Sequence, residues 1–386
     1  MIHTLAMANY RSLRDLALPL ASLNMLTGAN GSGKSNVYRA LRLLAETARG
    51  GVTAALAREG GLQSTLWAGP EQFSAAMRRG ETPIQGTCRN TPVNLRLGFA
   101  SSDFGYAIDL GLPSPGASFF AHDPEIKREC IWNGPVLRPS SLLVDRRGPL
   151  LRTRDAGGEW HTIPHRIASF DSMLSEFADP HSAPEMISLR EQIRSWRFYD
   201  HFRSDRAAPA RLPQIGTHTP VLDHEGVNLA AALQTIREMG DASALDQAVE
   251  DAFPGARVSV IAQDGWFEVV MQQHGLLRPL KAAELSDGTL RYLLLMAALL
   301  TPRPPALLVL NEPETSLHPD LLPALVRLIA HAVQRTQVLV VSHAPRLIAS
   351  LERERECQAI ILEKTLGETQ LNDSSLHGVA WQWPAR

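Results

Sequence analysis

Gly28-Ala29-Asn30-Gly31-Ser32-Gly33-Lys34-Ser35 is the stretch that decides how this chain is read. It matches the pattern G-x-x-x-x-G-K-[ST], and its surroundings supply what the pattern requires. Leu23-Asn24-Met25-Leu26-Thr27 reads as a short buried strand running straight into it, and Val37, Leu41, Leu44 and Ala45 line one face of a helix leaving it. In a strand, glycine loop and helix of this kind, the glycines let backbone wrap close to phosphate, and the loop N–H groups and helix N-terminus present positive ends. Lys34 then neutralises β- and γ-phosphate charge, and the Ser35 hydroxyl is placed to ligate Mg²⁺. Asn30, Gly31, Ser32, Gly33, Lys34 and Ser35 are therefore the candidate contacts to ATP.

Farther along, Leu307-Leu308-Val309-Leu310-Asn311-Glu312-Pro313 reads as a buried strand that delivers polar residues at its C-terminal end, where open α/β sheets bind ligands. Most P-loop ATPases carry an aspartate toward Mg²⁺ at the place of Asn311, so here the metal-facing side chain is neutral. Glu312 is the candidate base for an attacking water, with Glu314 as a weaker helper. About 20 residues earlier, Glu284-Leu285-Ser286-Asp287-Gly288-Thr289 opens a helix, with Ser286 a plausible N-cap. Val338–Val341 is a further buried strand, ending in Ser342-His343.

Strands and helices alternate from Thr289 onward: helix Thr289–Leu300, strand Ala306–Leu310, helix Asp320–Gln334, then strands Gln337–Val341 and Ala359–Leu362. That order implies a mainly parallel sheet and an α/β class. The N-terminal part adds antiparallel hairpins, one at residues 2–8 and 13–20 and another at 94–100 and 106–112. Between about 113 and 225 Pro, Gly and Arg become frequent, with short strands at Leu142–Val144 and Trp160–Ile163 and a helix near Glu185–Phe202. The expected division is therefore an N-terminal part, 1–112, with the phosphate loop; an inserted mixed or helical lobe, 113–225; and a C-terminal part, 226–386. A strand pair at Val258–Ile261 and Trp266–Met271 turns at Gln263-Asp264-Gly265.

Composition narrows the classes. With 386 residues, 44% hydrophobic and 20% charged, the chain is globular, and disordered, collagenous and coiled-coil compositions are excluded. A net charge of −2 gives no global field toward nucleic acid or membrane, so any such binding is local. The longest apolar run, Tyr292–Leu300, is about half a membrane span, and the first 25 residues lack a signal core, which points to the cytoplasm. Cys88, Cys130 and Cys357 have no close spacing, so reduced thiols are expected rather than a zinc site or disulfides. Arg190, Arg194, Arg197, Arg203, Arg206 and Arg211, interleaved with Trp196, Phe198 and Phe202, form the best local basic run, though Glu191, Asp200 and Asp205 offset it.

Taken together, Asn9-Tyr10-Arg11-Ser12-Leu13, the phosphate loop with Asn36, Glu284–Thr289 and the run from Asn311 to Pro319 resemble the RecF-like branch of the SMC/RecF/OLD ABC-type ATPases. Trp196–Tyr199 and Gln214–Gly216 extend the likeness to the stand-alone ATPases of that branch. The resemblance implies a P-loop ABC-type ATPase head with an antiparallel β-subdomain, using ATP and Mg²⁺. By it, Asn36 joins the nucleotide contacts, and Asn311 and Glu312 are the Walker B pair. Ser316–Pro319 takes the D-loop place, and His343 resembles the switch histidine at the γ-phosphate. Ser286 and Gly288 resemble the signature, commonly Leu-Ser-Gly-Gly, which closes on the nucleotide of a second subunit in a head-to-tail homodimer. Asp287 departs from that form and brings a negative charge toward phosphate. The glutamine of a Q-loop is open among Gln63, Gln72 and the region Ser172–Phe177. No heptads run between the phosphate loop and the signature, so SMC-type arms are not expected.

Two functions compete on this basis. One is an ATP-hydrolysing dimeric switch in DNA repair or anti-phage defence. The other is a regulatory ATPase that gates a separate effector protein without itself binding DNA. A transporter subunit is a distant third, because the Asn311–Pro319 run resembles the branch that works without a membrane.

Overall fold

The computed structural model describes residues 1–85, 92–116, 118–155, 157–372 and 381–385. Cys88 lies outside them. The chain divides into two units, one built from residues 1–21, 27–195 and 360 onward, the other from 22–26 and 196–359. Residues 113–225, expected as one inserted lobe, are thus shared out at Ser195.

In the first unit an eight-stranded antiparallel sheet runs in the order Leu13–Pro19, Ile2–Tyr10, Leu95–Ser101, Phe104–Gly111, Glu125–Asn133, Leu142–Arg147, Leu150–Arg154 and Trp160–Thr162. Both hairpins read in the sequence are present, with Leu5 opposite Leu18 and Phe99 opposite Tyr106. Strand Glu125–Asn133 carries no clean apolar alternation that would announce it, because Arg128 and Glu129 are buried in it, and Leu150–Arg154 buries only Leu151 and Thr153. Glu129 and Arg146 stand opposite each other on neighbouring strands, fully buried, with Nη1 2.7 Å from Oε2. Tyr106, Ser172 and the Met173 amide also donate to the Glu129 carboxylate, while Arg146 donates to the carbonyls of Ala168 and Asp171. Such a pair is tolerable in a core only when its remaining hydrogen-bonding capacity is met, as it is here.

Helix Lys34–Glu46 buries Val37, Leu41, Leu44 and Ala45, the face read from the sequence, and packs against strands Ile2–Tyr10 and Leu95–Ser101. A hairpin of Cys357–Thr365 and Glu368–Leu371, with Lys364 opposite Thr369, belongs with this unit from Ile360 onward. Burial pushes the Cys130 thiol up to about 12, and that of Cys357 up to about 11, so both stay protonated at neutral pH.

The second unit is α/β. Its parallel strands lie in the order Arg197–Tyr199, Leu307–Asn311, Gln337–Val341, then residues 23–26 of strand Leu23–Gly28. All are buried runs, as strands covered on both faces must be. Helices Leu229–Met239, Asp287–Leu299 and Leu322–Val333 contribute to one core with Leu308, Leu310, Val338 and Val340. The helix expected to extend to Phe202 instead spans Pro184–Ser195, and Arg197-Phe198-Tyr199 forms a strand. Aromatic residues favour a pleated, buried surface, and Phe198 and Tyr199 are both buried there. A smaller antiparallel sheet joins Gln214–Ile215, Trp266–Gln272, Arg257–Gln263 and Leu280–Lys281. Its tight turn places Asp264 and Gly265 at φ 50° and 80°, the left-handed geometry that an Asp-Gly hairpin supplies. Among the described residues no helix is long and apolar enough to cross a membrane.

Candidate active site

Strand Leu23–Gly28 ends in the phosphate loop, which belongs to the first unit, and helix Lys34–Glu46 begins immediately after Gly33. The loop needs its glycines for two reasons. Gly31 and Gly33 lie at φ 79° and 113°, where L side chains are strained. At Gly28 a Cβ would come 2.2 Å from the Leu362 carbonyl oxygen, and at Gly33 2.1 Å from Thr369 Oγ1. The helix start has no side-chain cap and no acidic residue in its first turn, so its positive end is left for an anion. Lys34 is buried and donates to the carbonyls of Gly28 at 2.6 Å and Ala29 at 3.1 Å, which curls its ammonium back over the loop.

The loop is held from behind by residues that the motif does not name. Asn36 Nδ2 donates to Ser12 Oγ at 2.8 Å, and Ser12 Oγ lies 2.7 Å from Thr369 Oγ1. Thr369 Oγ1 reaches the Ser32 carbonyl at 2.8 Å, and its amide donates to the Ser12 carbonyl at 2.8 Å. Asn36 thus works here as a brace. Ser12 lay within the quoted Asn-Tyr-Arg-Ser-Leu run, whereas nothing local marks Thr369, which arrives from the far end of the chain.

In the second unit, Asn311 is level with Val341, and Val341 with Leu26, so three parallel strands end along one edge of the sheet. Glu312 follows with φ 49°, its amide bonded to the Val341 carbonyl at 2.8 Å. A non-glycine residue in that region is strained, a cost of the kind found where a side chain must be aimed. The Glu312 carboxylate lies 3.3 Å from His343 Nδ1, both half-exposed, so the base candidate and the histidine are brought together. Glu314 is engaged differently, because Ser342 Oγ donates to its Oε1 at 2.6 Å beneath the surface. Asn311 Nδ2 donates at 3.3 Å to Oδ1 of Asp200, the residue just beyond the neighbouring strand Arg197–Tyr199.

Ser286 caps helix Asp287–Leu299 as expected, accepting from the Thr289 amide at 3.2 Å. Asp287 meets a counterion in its own chain. Arg211, buried, donates to Asp287 Oδ1 at 2.6 Å and to the carbonyls of Ala282 and Leu285. The charge that looked adverse to phosphate is thereby balanced, and Arg211 leaves the exposed basic run in which it had been counted. Gly288 has a reason within the chain as well, since a Cβ there would lie 3.1 Å from the Ser316 carbonyl oxygen.

The rest of the arginine run is dispersed. Arg190 and Arg194 sit on helix Pro184–Ser195 of the first unit, while Arg197, Arg203 and Arg206 belong to the second, where Arg203 pairs with Asp205 at 3.0 Å. Of the Q-loop candidates, Gln63 and Gln72 are exposed, and Ser172 is spent on Glu129 and on capping Met173–Glu176.

These residues suit a nucleoside triphosphate with Mg²⁺. The phosphate loop can keep its turn only with glycine at 28 and 33, where a side chain would collide with Leu362 or Thr369, and Ser32 Oγ is buried without a protein partner. For a hard cation each unit offers oxygens of its own: the Ser35 hydroxyl in the first, and the Asn311 amide oxygen beside the Asp200 carboxylate in the second.

A family model described as "AAA domain, putative AbiEii toxin, Type IV TA system" matches residues 23–349. Among solved structures, the chain is similar to an SMC head bound to the C-terminal winged-helix domain of ScpA. The TM-score is 0.52 at 13% identity, with 96% of this chain and 97% of that one covered. It is also similar to the SMC head domain from Thermotoga maritima, at a TM-score of 0.45 and 12% identity, over 96% and 97% of the two chains. At these identities the likeness concerns the fold. No curated protein matches the sequence.

Proposed function

Because the chain belongs to this AAA-domain family and shares the fold of an SMC head, we propose that it is an ABC-type ATPase of the SMC/RecF kind, hydrolyses ATP and serves as an ATP-gated dimeric switch in anti-phage defence. The carrying observation is the pairing of Glu312 with His343 at 3.3 Å at the end of a buried parallel strand, in a chain that also has a complete phosphate loop. Lys34 and the loop amides take the phosphate charge, and Asn30 to Asn36 shape the pocket for it. Mg²⁺, when bound, offsets the charge that develops on the phosphates. Glu312 orients a water and accepts its proton, and His343, 3.3 Å away, holds that carboxylate in place. Ser286 and Gly288 act on the nucleotide of a second copy, so dimer closure reports ATP and hydrolysis reopens it.

A defence role is preferred to repair because the family description names a toxin of a toxin–antitoxin system. The alternative, a regulatory ATPase that gates an effector without binding DNA, draws support from Arg211, whose burial removes one cation from the best basic run. ATP hydrolysis measured with and without duplex DNA from low to high salt separates the two. A DNA-acting switch binds at low salt and loses affinity steeply as counterions are released. Absence of DNA binding with ATP and Mg²⁺ present favours the effector-gating form, and absence of ATP binding refutes both.

A further inference from the structure

Strand Arg197–Tyr199 enters the parallel sheet beside Leu307–Asn311, with Tyr199 level with Leu310. The next residue on each strand continues that register, which brings Asp200 against Asn311, and the 3.3 Å contact from Nδ2 to Oδ1 is the result. A bond to a carboxylate must come from the amide nitrogen, so Asn311 turns its carbonyl oxygen away from Asp200. Together the two side chains offer an amide oxygen and a carboxylate, with one negative charge between them. A single aspartate at position 311 would supply that same charge. The segment after Asp200 is also anchored, since the buried Arg291 of helix Asp287–Leu299 lies 2.8 Å from His201 Nδ1.

We propose that Asp200 supplies the carboxylate toward Mg²⁺ that the strand Leu307–Asn311 lacks, with Asn311 and Asp200 serving as one split metal-facing pair. The proposal rests on the ATP-binding reading and deepens it. It explains how a chain with a neutral residue at the Walker B position keeps its attraction for a divalent cation. A cation held there would meet oxygen donors and one formal charge, in keeping with the water-rich coordination that Mg²⁺ prefers.

The test is Mn²⁺ binding, followed by electron paramagnetic resonance, to the full chain saturated with ADP, with metal-free ADP affinity in chelator as the control for folding and nucleotide binding. Asp200→Asn should weaken Mn²⁺ binding about tenfold, in the range seen when groups supporting a metal are changed, and leave metal-free ADP affinity unaltered. The exchanged variant, Asp200→Asn with Asn311→Asp, moves the charge to the other strand and should recover affinity to within about threefold of the unaltered chain. Unchanged Mn²⁺ affinity in Asp200→Asn overturns the proposal, as does failure of the exchanged variant to recover it while ADP still binds. If the unaltered chain binds no ADP at all, the ATP-binding reading itself fails, a result distinct from either.

Discussion

In the proposed mechanism Lys34, Glu312, Asn311 and Asp200 carry the chemistry, and each sits in surroundings that set its role. Lys34 is the single ammonium of the phosphate loop, and it is buried where Coulomb attraction is screened less than at an open surface. Lys34→Ala should weaken ATP binding by more than about 100-fold, or about 2.7 kcal/mol, measured by calorimetry. An unchanged affinity would remove the loop from the account. Glu312 and Glu314, two residues apart, sit in different surroundings. Glu312 is half-exposed beside His343, whereas Glu314 receives the hydroxyl of the fully buried Ser342. Glu314→Ala should therefore cost stability, about 1–3 kcal/mol from the partner left unsatisfied, and show as a lowered thermal midpoint with ATP affinity retained. Loss of ATP binding at an unchanged midpoint would reverse that assignment. Asn311 and Asp200 share a task that sequence alone assigned to Asn311, because their meeting depends on a pairing of strands more than 100 residues apart.

At the scale of elements, what could be read beforehand followed the apolar pattern. The phosphate loop, its helix face, the strands Leu307–Asn311 and Gln337–Val341 and the Asp264-Gly265 turn all carry local signals, and all are found. Strand Glu125–Asn133 hid because the adjacent Arg128 and Glu129 are both buried, on opposite faces, each answered by a partner on the next strand, Asp145 and Arg146. Ion pairing of this kind erases the alternation on which strand recognition rests. Strand Arg197–Tyr199 was absorbed into the preceding helix, although three aromatic residues in Trp196–Tyr199 were a legible warning. The braces Ser12 and Thr369 and the counterion Arg211 act across long sequence separations, which no motif encodes. The buried pair makes the element-scale prediction: Arg146→Ala strands the Glu129 charge in the core and should destabilise the fold by about 3–5 kcal/mol. Urea unfolding measures it. A loss below about 1 kcal/mol would mean that the pair is solvated.

For the whole molecule, the account rests on two copies acting together. Ser286→Arg removes a helix cap, at a cost of about 1 kcal/mol, and puts a bulky cation on the exposed signature position. It should leave ATP binding by the single chain intact and abolish hydrolysis. Mixed with Lys34→Ala, which lacks the opposite half, it should regain up to about half the native activity per dimer, since each mixed head-to-tail dimer holds one intact site. Full activity of Ser286→Arg alone would place the signature outside catalysis. The central claim, that this chain turns over ATP with Glu312 as base, is tested most directly by phosphate release from Glu312→Gln against the unaltered protein, with bound ATP followed in the same samples. The amide keeps the size and hydrogen-bonding reach of the carboxylate but cannot accept the proton. Retained ATP with release slowed about 10²- to 10⁴-fold is the predicted result, and equal release rates from the two proteins would contradict it.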